Sequence, residues 1–182
     1  MSEALESAET TQAIVVLGLG NLLRRDEGLG IRALELLRER YRLPEAVQLV
    51  DGGTLGLELL SYLEGAQRLL VLDAALTEGP PGTLLRVAGE EVPRFLGMRT
   101  SPHEVGLADL LVVARLRDKE PREVVVLGMQ PEAIELGWEL SESVAAHLET
   151  LVDAALAQMR SWGVPMTEWP QPLDTASRRI PG

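Results

Sequence analysis

Four short aliphatic runs, each cut off by a glycine or an acid, limit what this chain can fold into more than any other feature. Ala13–Leu17 breaks at Gly18, Ala46–Val50 stops at Asp51-Gly52-Gly53, Arg68–Leu72 ends on Asp73, and Glu123–Leu127 runs into Gly128. Runs of this length, rich in Val, Leu and Ile, are strands buried on both faces. Between them lie segments of helical period. Residues 28–41 place Gly30, Leu34, Leu37 and Tyr41 on one face, and residues 141–160 carry Val144, Leu148, Leu151, Ala155 and Met159 as a stripe. A shorter helix capped by Thr54 would carry Leu57, Leu60 and Leu63. The alternation predicts an α/β fold: a three-layer α/β/α arrangement with a mostly parallel central sheet.

Two further segments fit that pattern. Thr83–Val87, after the turn Glu78-Gly79-Pro80-Pro81-Gly82, reads as a short strand at a sheet edge. Ser101-Pro102-His103-Glu104 has capping-box spacing with Pro at the first helical position, and opens the next helix. A length of 182 residues suits one domain. The expected division is a flexible leader over 1–12, a single α/β domain over 13–160, and a Pro-rich tail over 161–182.

Composition removes several function classes. With no cysteine there are no disulfides, no thiolate metal ligands and no cysteine nucleophile. A net charge of −11 argues against nucleic-acid binding, which needs a basic face. No apolar run approaches the roughly 20 residues of a membrane span. The acidic, polar leader is no signal peptide, so the expected address is the cytoplasm.

In an open parallel sheet the functional edge lies beyond the C-terminal ends of the strands. Glu27 follows the first strand, Asp51 ends the second, Asp73 ends the third, and His103 begins a later helix, so all four belong to that edge. Each has a plain explanation on its own. Asp26-Glu27 would cap a helix start, Asp51 is a natural turn residue before two glycines, and His103 would simply occupy a first helical turn. His147 borders the stripe of the last helix and reads as solvated or half-packed.

Together the groups weigh differently. Two carboxylates and an imidazole from three connections make an open O,O,N set suited to a divalent transition ion that also meets water or substrate. Gly18-Leu19-Gly20 hints instead at dinucleotide binding, with Asp51 as the ribose partner. The third glycine of that fingerprint is replaced by Leu23. A serine nucleophile is badly served, since Ser101 sits two residues from His103 and no Gly-x-Ser-x-Gly elbow exists. The His-Glu-x-x-His zincin motif is also missing.

Five linked segments carry a family resemblance across Ala13 to Leu156. They are Gly18-Leu19-Gly20-Asn21 with Asp26-Glu27-Gly28-Leu29-Gly30; Asp51-Gly52-Gly53-Thr54; Leu72-Asp73-Ala74; Ser101-Pro102-His103; and Gly128-Met129-Gln130-Pro131-Glu132. In these the chain resembles the hydrogenase maturation endopeptidases, nickel-dependent proteases of [NiFe]-hydrogenase large subunits. The resemblance implies that Glu27, Asp73 and His103 are metal ligands and catalytic residues, and that Asp51, Gly52 and Gly53 help bind substrate. It implies removal of a C-terminal extension from a nickel-loaded large-subunit precursor, which is both partner and source of the Ni2+. The long tail after Arg160 is less typical of the family. Two other readings stay open at this stage: a non-catalytic nickel-binding or metallochaperone module, and a nucleotide-dependent oxidoreductase.

Overall fold

The computed structural model describes residues 14–53, 56–97 and 106–168. In chain order the elements are β1 (Ile14–Leu19), a 3-10 turn (Arg25–Gly28), α1 (Leu29–Arg40), β2 (Tyr41–Arg42), β3 (Val47–Gly53), α2 (Leu59–Gly65) and β4 (Arg68–Ala74). There follow β5 (Leu84–Ala88), α3 (Glu91–Gly97), α4 (Leu107–Leu116), β6 (Glu123–Met129), α5 (Glu142–Ala145), α6 (Leu148–Ser161) and β7 (Thr167–Glu168). The main sheet has the order β3-β1-β4-β6-β5. β3, β1, β4 and β6 are mutually parallel, and β5 closes one edge antiparallel to β6.

The strands are aliphatic on both sides because each side meets helices. Alternate residues divide between two cores. Ile14, Val16, Leu70, Leu72, Val125 and Leu127 pack with Leu34 and Leu37 of α1 and Leu151, Ala155 and Met159 of α6. Val15, Leu17, Leu69, Val71 and Val126 pack on the opposite face with Leu59 and Leu63 of α2, Val92 and Leu96 of α3, and Leu110 of α4. The period-two division of continuous apolar runs is what a doubly covered sheet requires. This is the expected three-layer α/β/α fold.

The local differences have physical reasons. Asp51-Gly52-Gly53 does not stop its strand, since β3 keeps pairing with β1 through Gly53. The first part of the expected last helix is separate: α5 ends before His147, and α6 starts at Leu148. α3 escapes the sequence pattern because Pro93 interrupts it, yet proline in a first turn lacks only an N–H that has no helical partner. Leu57 lies ahead of α2 and is exposed, while Leu59 and Leu63 take the core positions. After α6, Val164 is buried in the core and β7 pairs with β2, so packed chain continues through Glu168. The 1–12 leader, Thr54, the Ser101–Glu104 helix start and residues 169–182 lie outside the described residues.

Among the described residues no helix is long and apolar enough to cross a membrane.

Candidate active site

The glycines around Glu27 let backbone meet backbone at the C-terminal edge of the sheet. Gly20 has φ +125, and a Cβ there would lie 1.8 Å from the carbonyl oxygen of Glu27. Only glycine tolerates both the conformation and the contact. At Gly30 a Cβ would lie 2.1 Å from the carbonyl oxygen of Leu72 and 2.6 Å from that of Leu19. The start of α1 therefore rests directly on the ends of β1 and β4. The 3-10 turn that carries Glu27 packs against β4, the strand that carries Asp73. The Gly18-Leu19-Gly20 segment thus serves close packing of the chain on itself.

Asp73 is 8% exposed and lies opposite Gly128 in the register of β4 with β6. Its neighbour Leu72 forms the last pair of β4 with β1, opposite Gly18, so Asp73 lies one residue beyond that pairing, at the C-terminal end of β1. Glu27 is half-buried. Its Oε2 is shielded from solvent and accepts no hydrogen bond, although Arg24 Nε forms an ion pair with it at 3.1 Å. An ion pair this exposed contributes little. Apart from that ion pair the shielded oxygen accepts nothing, and a carboxylate oxygen so placed suits a hard or borderline cation; Asp73 adds a second oxygen donor on the same edge. Among the described residues no three His, Cys or acidic side chains group together, and His103 lies outside those residues.

Asp51-Gly52-Gly53 reaches the same edge. Asp51 is opposite Gly18, is exposed, and its Oδ1 accepts the Gly53 N–H at 3.0 Å. Gly52 is pressed against Leu17 and Leu19, where a Cβ would come within 2.6 and 2.8 Å of their methyl carbons. The structure thus brings Glu27, Asp73 and Asp51–Gly53 to one edge.

Asp26 is placed differently from its sequence reading. It is fully buried and caps no helix. Its Oδ2 accepts the N–H groups of Glu132 at 2.9 Å and Ala133 at 2.8 Å, and the Ser141 hydroxyl at 2.8 Å. Its Oδ1 accepts the Ser141 N–H at 2.7 Å. Burial alone would push this carboxyl up, but the N–H groups of Ala133, Ser141 and Glu132, with the Ser141 hydroxyl, hold it below the ordinary carboxylate range. The side chain is a latch between the Glu27 turn and the 131–141 segment. No signal near Asp26 in the sequence points to this, because every partner is more than a hundred residues away.

The segment Gly128-Met129-Gln130-Pro131-Glu132 gains roles from the same geometry. Gly128 faces Asp73, and a Cβ on it would strike the Ala75 side chain at 2.3 Å. Met129 is core. Gln130 Oε1 accepts the Thr77 N–H at 2.5 Å, which holds the connection that follows β4. His147, by contrast, is exposed, with Nδ1 at 2.7 Å from the Ser143 carbonyl oxygen.

Comparison with known proteins gives the family of the chain. Residues 31–158 match the family model described as hydrogenase maturation protease. The chain is 45% identical over 157 residues to the hydrogenase expression/formation protein HoxM of Azotobacter vinelandii, covering 85% of this chain and 76% of that one. It is 39% identical over 152 residues to the hydrogenase 2 maturation protease of Escherichia coli strain K12, covering 83% and 93%. The solved structure of the hydrogenase maturating endopeptidase HybD from E. coli superposes with a TM-score of 0.81 at 38% identity, over 86% of this chain and 97% of that one. The chain belongs to the hydrogenase maturation protease family.

Proposed function

We propose that this protease removes the C-terminal extension of a [NiFe]-hydrogenase large-subunit precursor after nickel insertion, with Glu27, Asp73 and His103 engaging the nickel ion. The observation that carries the reading is the placement of Glu27 beside the strand of Asp73, with Glu27 Oε2 shielded and free of hydrogen bonds. In this reading nickel belongs to the substrate. When bound, the ion supplies Lewis acidity next to the scissile peptide. Glu27 and Asp73 supply oxygen donors and two negative charges, and His103 supplies a nitrogen donor. The exposed Asp51 with Gly52 and Gly53 holds the adjoining substrate segment at the end of β3. The cytoplasm is the compartment that fits this substrate.

The test is incubation with purified, nickel-loaded precursor, read by intact mass. The expected product is the precursor shortened by one C-terminal peptide. Glu27→Gln, Asp73→Asn and His103→Ala should each abolish that mass change. His147→Ala, which alters an exposed imidazole bonded within its own turn, should leave it intact. A precursor of unchanged mass with the wild-type protein would overturn the reading in favour of a metal-binding module.

A further inference from the structure

The 131–141 arm is fastened almost wholly through its backbone, by charged side chains of the Glu27 turn and α1. Besides the four bonds to Asp26, Arg24 Nε donates to the Ile134 carbonyl at 3.1 Å and Arg25 Nε to the Glu139 carbonyl at 3.2 Å. Arg32 donates to the Trp138 carbonyl. The Arg25 N–H donates to the Gly137 carbonyl at 3.0 Å, and the Gly137 N–H to the Leu23 carbonyl at 2.9 Å. Arg25 holds a left-handed φ of 47, a strained conformation for a side-chain-bearing residue. Gly137 is pressed on it, since a Cβ there would meet Arg25 Cγ at 2.8 Å.

The side chains this fastening leaves over are apolar. Ile134 is 49% exposed, Leu136 83% and Trp138 68%, and Leu23, beside Gly137, is 49% exposed. An unconstrained loop would fold such residues inward, because each exposed large apolar group forfeits burial worth about 1.5–3 kcal/mol. Here the backbone bonds hold them outward within one short stretch of chain and beside Leu23, and exposed large apolar groups gathered in this way mark an interaction surface. Glu132, Glu139 and Glu142 lie exposed along the same stretch and make no ion pair among the described residues. Glu135 is neutralised by Arg25 at 2.5 Å.

We infer that the arm is the docking surface for the folded body of the polypeptide substrate, and that it takes an apolar patch bordered by Lys or Arg. The inference rests on the proposed function and specifies its partner contact. Two observations select this occupant. The arm is continuous with the candidate site: it leaves β6 next to the residue facing Asp73 and is latched to the turn of Glu27. Its unpaired carboxylates also complement a basic border. A second copy of this chain would set those carboxylates against their own equivalents, which is unfavourable for a chain of net charge −11.

The test measures cleavage of nickel-loaded precursor by the full chain carrying Leu136→Ser or Trp138→Ala. Because both side chains are exposed, urea unfolding should match wild type. Each variant should raise KM about tenfold with kcat within about twofold, as loss of a docking anchor does. The triple variant Glu132→Gln, Glu139→Gln, Glu142→Gln should also raise KM and weaken its dependence on salt. Unchanged KM in the two apolar variants, while wild type cuts normally, overturns the docking surface. Unchanged KM and salt dependence in the triple variant overturn the basic border. A wild-type dimer in sedimentation that Leu136→Ser dissolves would reassign the surface to self-association. Failure of wild type to cut the precursor is a separate result, and removes the proposed function together with this inference.

Discussion

At the scale of single residues, Asp26 shows why a charged side chain can be more informative buried than exposed. A buried carboxylate persists only where hydrogen bonds replace its water, and Asp26 receives four, one of them on Oδ1 and three on Oδ2. Its carboxyl is held below the ordinary range when folded. A group depressed in the folded state stabilises fully above its unfolded pKa, about 3.9 for Asp, and loses that contribution as pH falls through the folded value. Asp26→Asn keeps the shape but replaces one acceptor oxygen by a donor. We expect it to cost about 2–3 kcal/mol at neutral pH, with the gap to wild type narrowing as acid protonates the native carboxyl. Urea titrations at pH 7 and at low pH measure both quantities, and a gap that stays constant would deny the charge any part. The sequence suggested a helix cap here because local spacing fits one. The actual donors sit 106, 107 and 115 residues away, beyond the reach of any local pattern.

Elements were easier to read where their cause was local. The buried strands announced themselves because a run of four or five aliphatics can be satisfied only by cover on both sides. Glu27, Asp51 and Asp73 fell on one edge as soon as those strands were taken as parallel. What the sequence hid was how tightly α1 sits on β1 and β4, because glycine records an absence of side chain without naming what fills the space. Gly30 fills it with the Leu72 carbonyl. Gly30→Ala should therefore push α1 off the strand ends and destabilise by about 3 kcal/mol, seen as a lower urea midpoint at unchanged slope. Gly65 supplies the control: it too is a helical glycine, at the end of α2, but nothing lies within 4 Å of its missing Cβ. Gly65→Ala should be neutral or stabilising by up to about 1 kcal/mol. A Gly30→Ala variant as stable as wild type or more so, like the one at Gly65, would show that helix propensity, and not the close approach, governs Gly30.

For the whole molecule, the sheet order puts β1 between β3 and β4, so the chain leaves β1 toward one side and returns on the other. Such a reversal opens a crevice at the strand ends, the usual ligand position in open α/β sheets. Glu27, Asp73 and Asp51–Gly53 lie at that edge, and the 131–141 arm is latched to the turn that carries Glu27. The proposed division of labour is that the arm binds the body of the precursor and the crevice engages its nickel. Two carboxylates and one imidazole make a moderately weak site without thiolate, and a first-row ion still needs further donors. A precursor that already holds nickel would bring those donors with it. Purified protease should then contain little nickel, and the carboxylate and imidazole ligands would act together only on metallated precursor. Nickel-free precursor should resist cutting even at high enzyme concentration, and added zinc or magnesium should not rescue it. Because the arm does not depend on the ion, nickel-free precursor should still bind, competing with the loaded form without being cut. Intact mass reports the cutting and competition kinetics report the binding. Efficient cutting of nickel-free precursor by metal-free protease would refute this dependence on the substrate's nickel and direct attention to a catalytic group other than Glu27, Asp73 and His103.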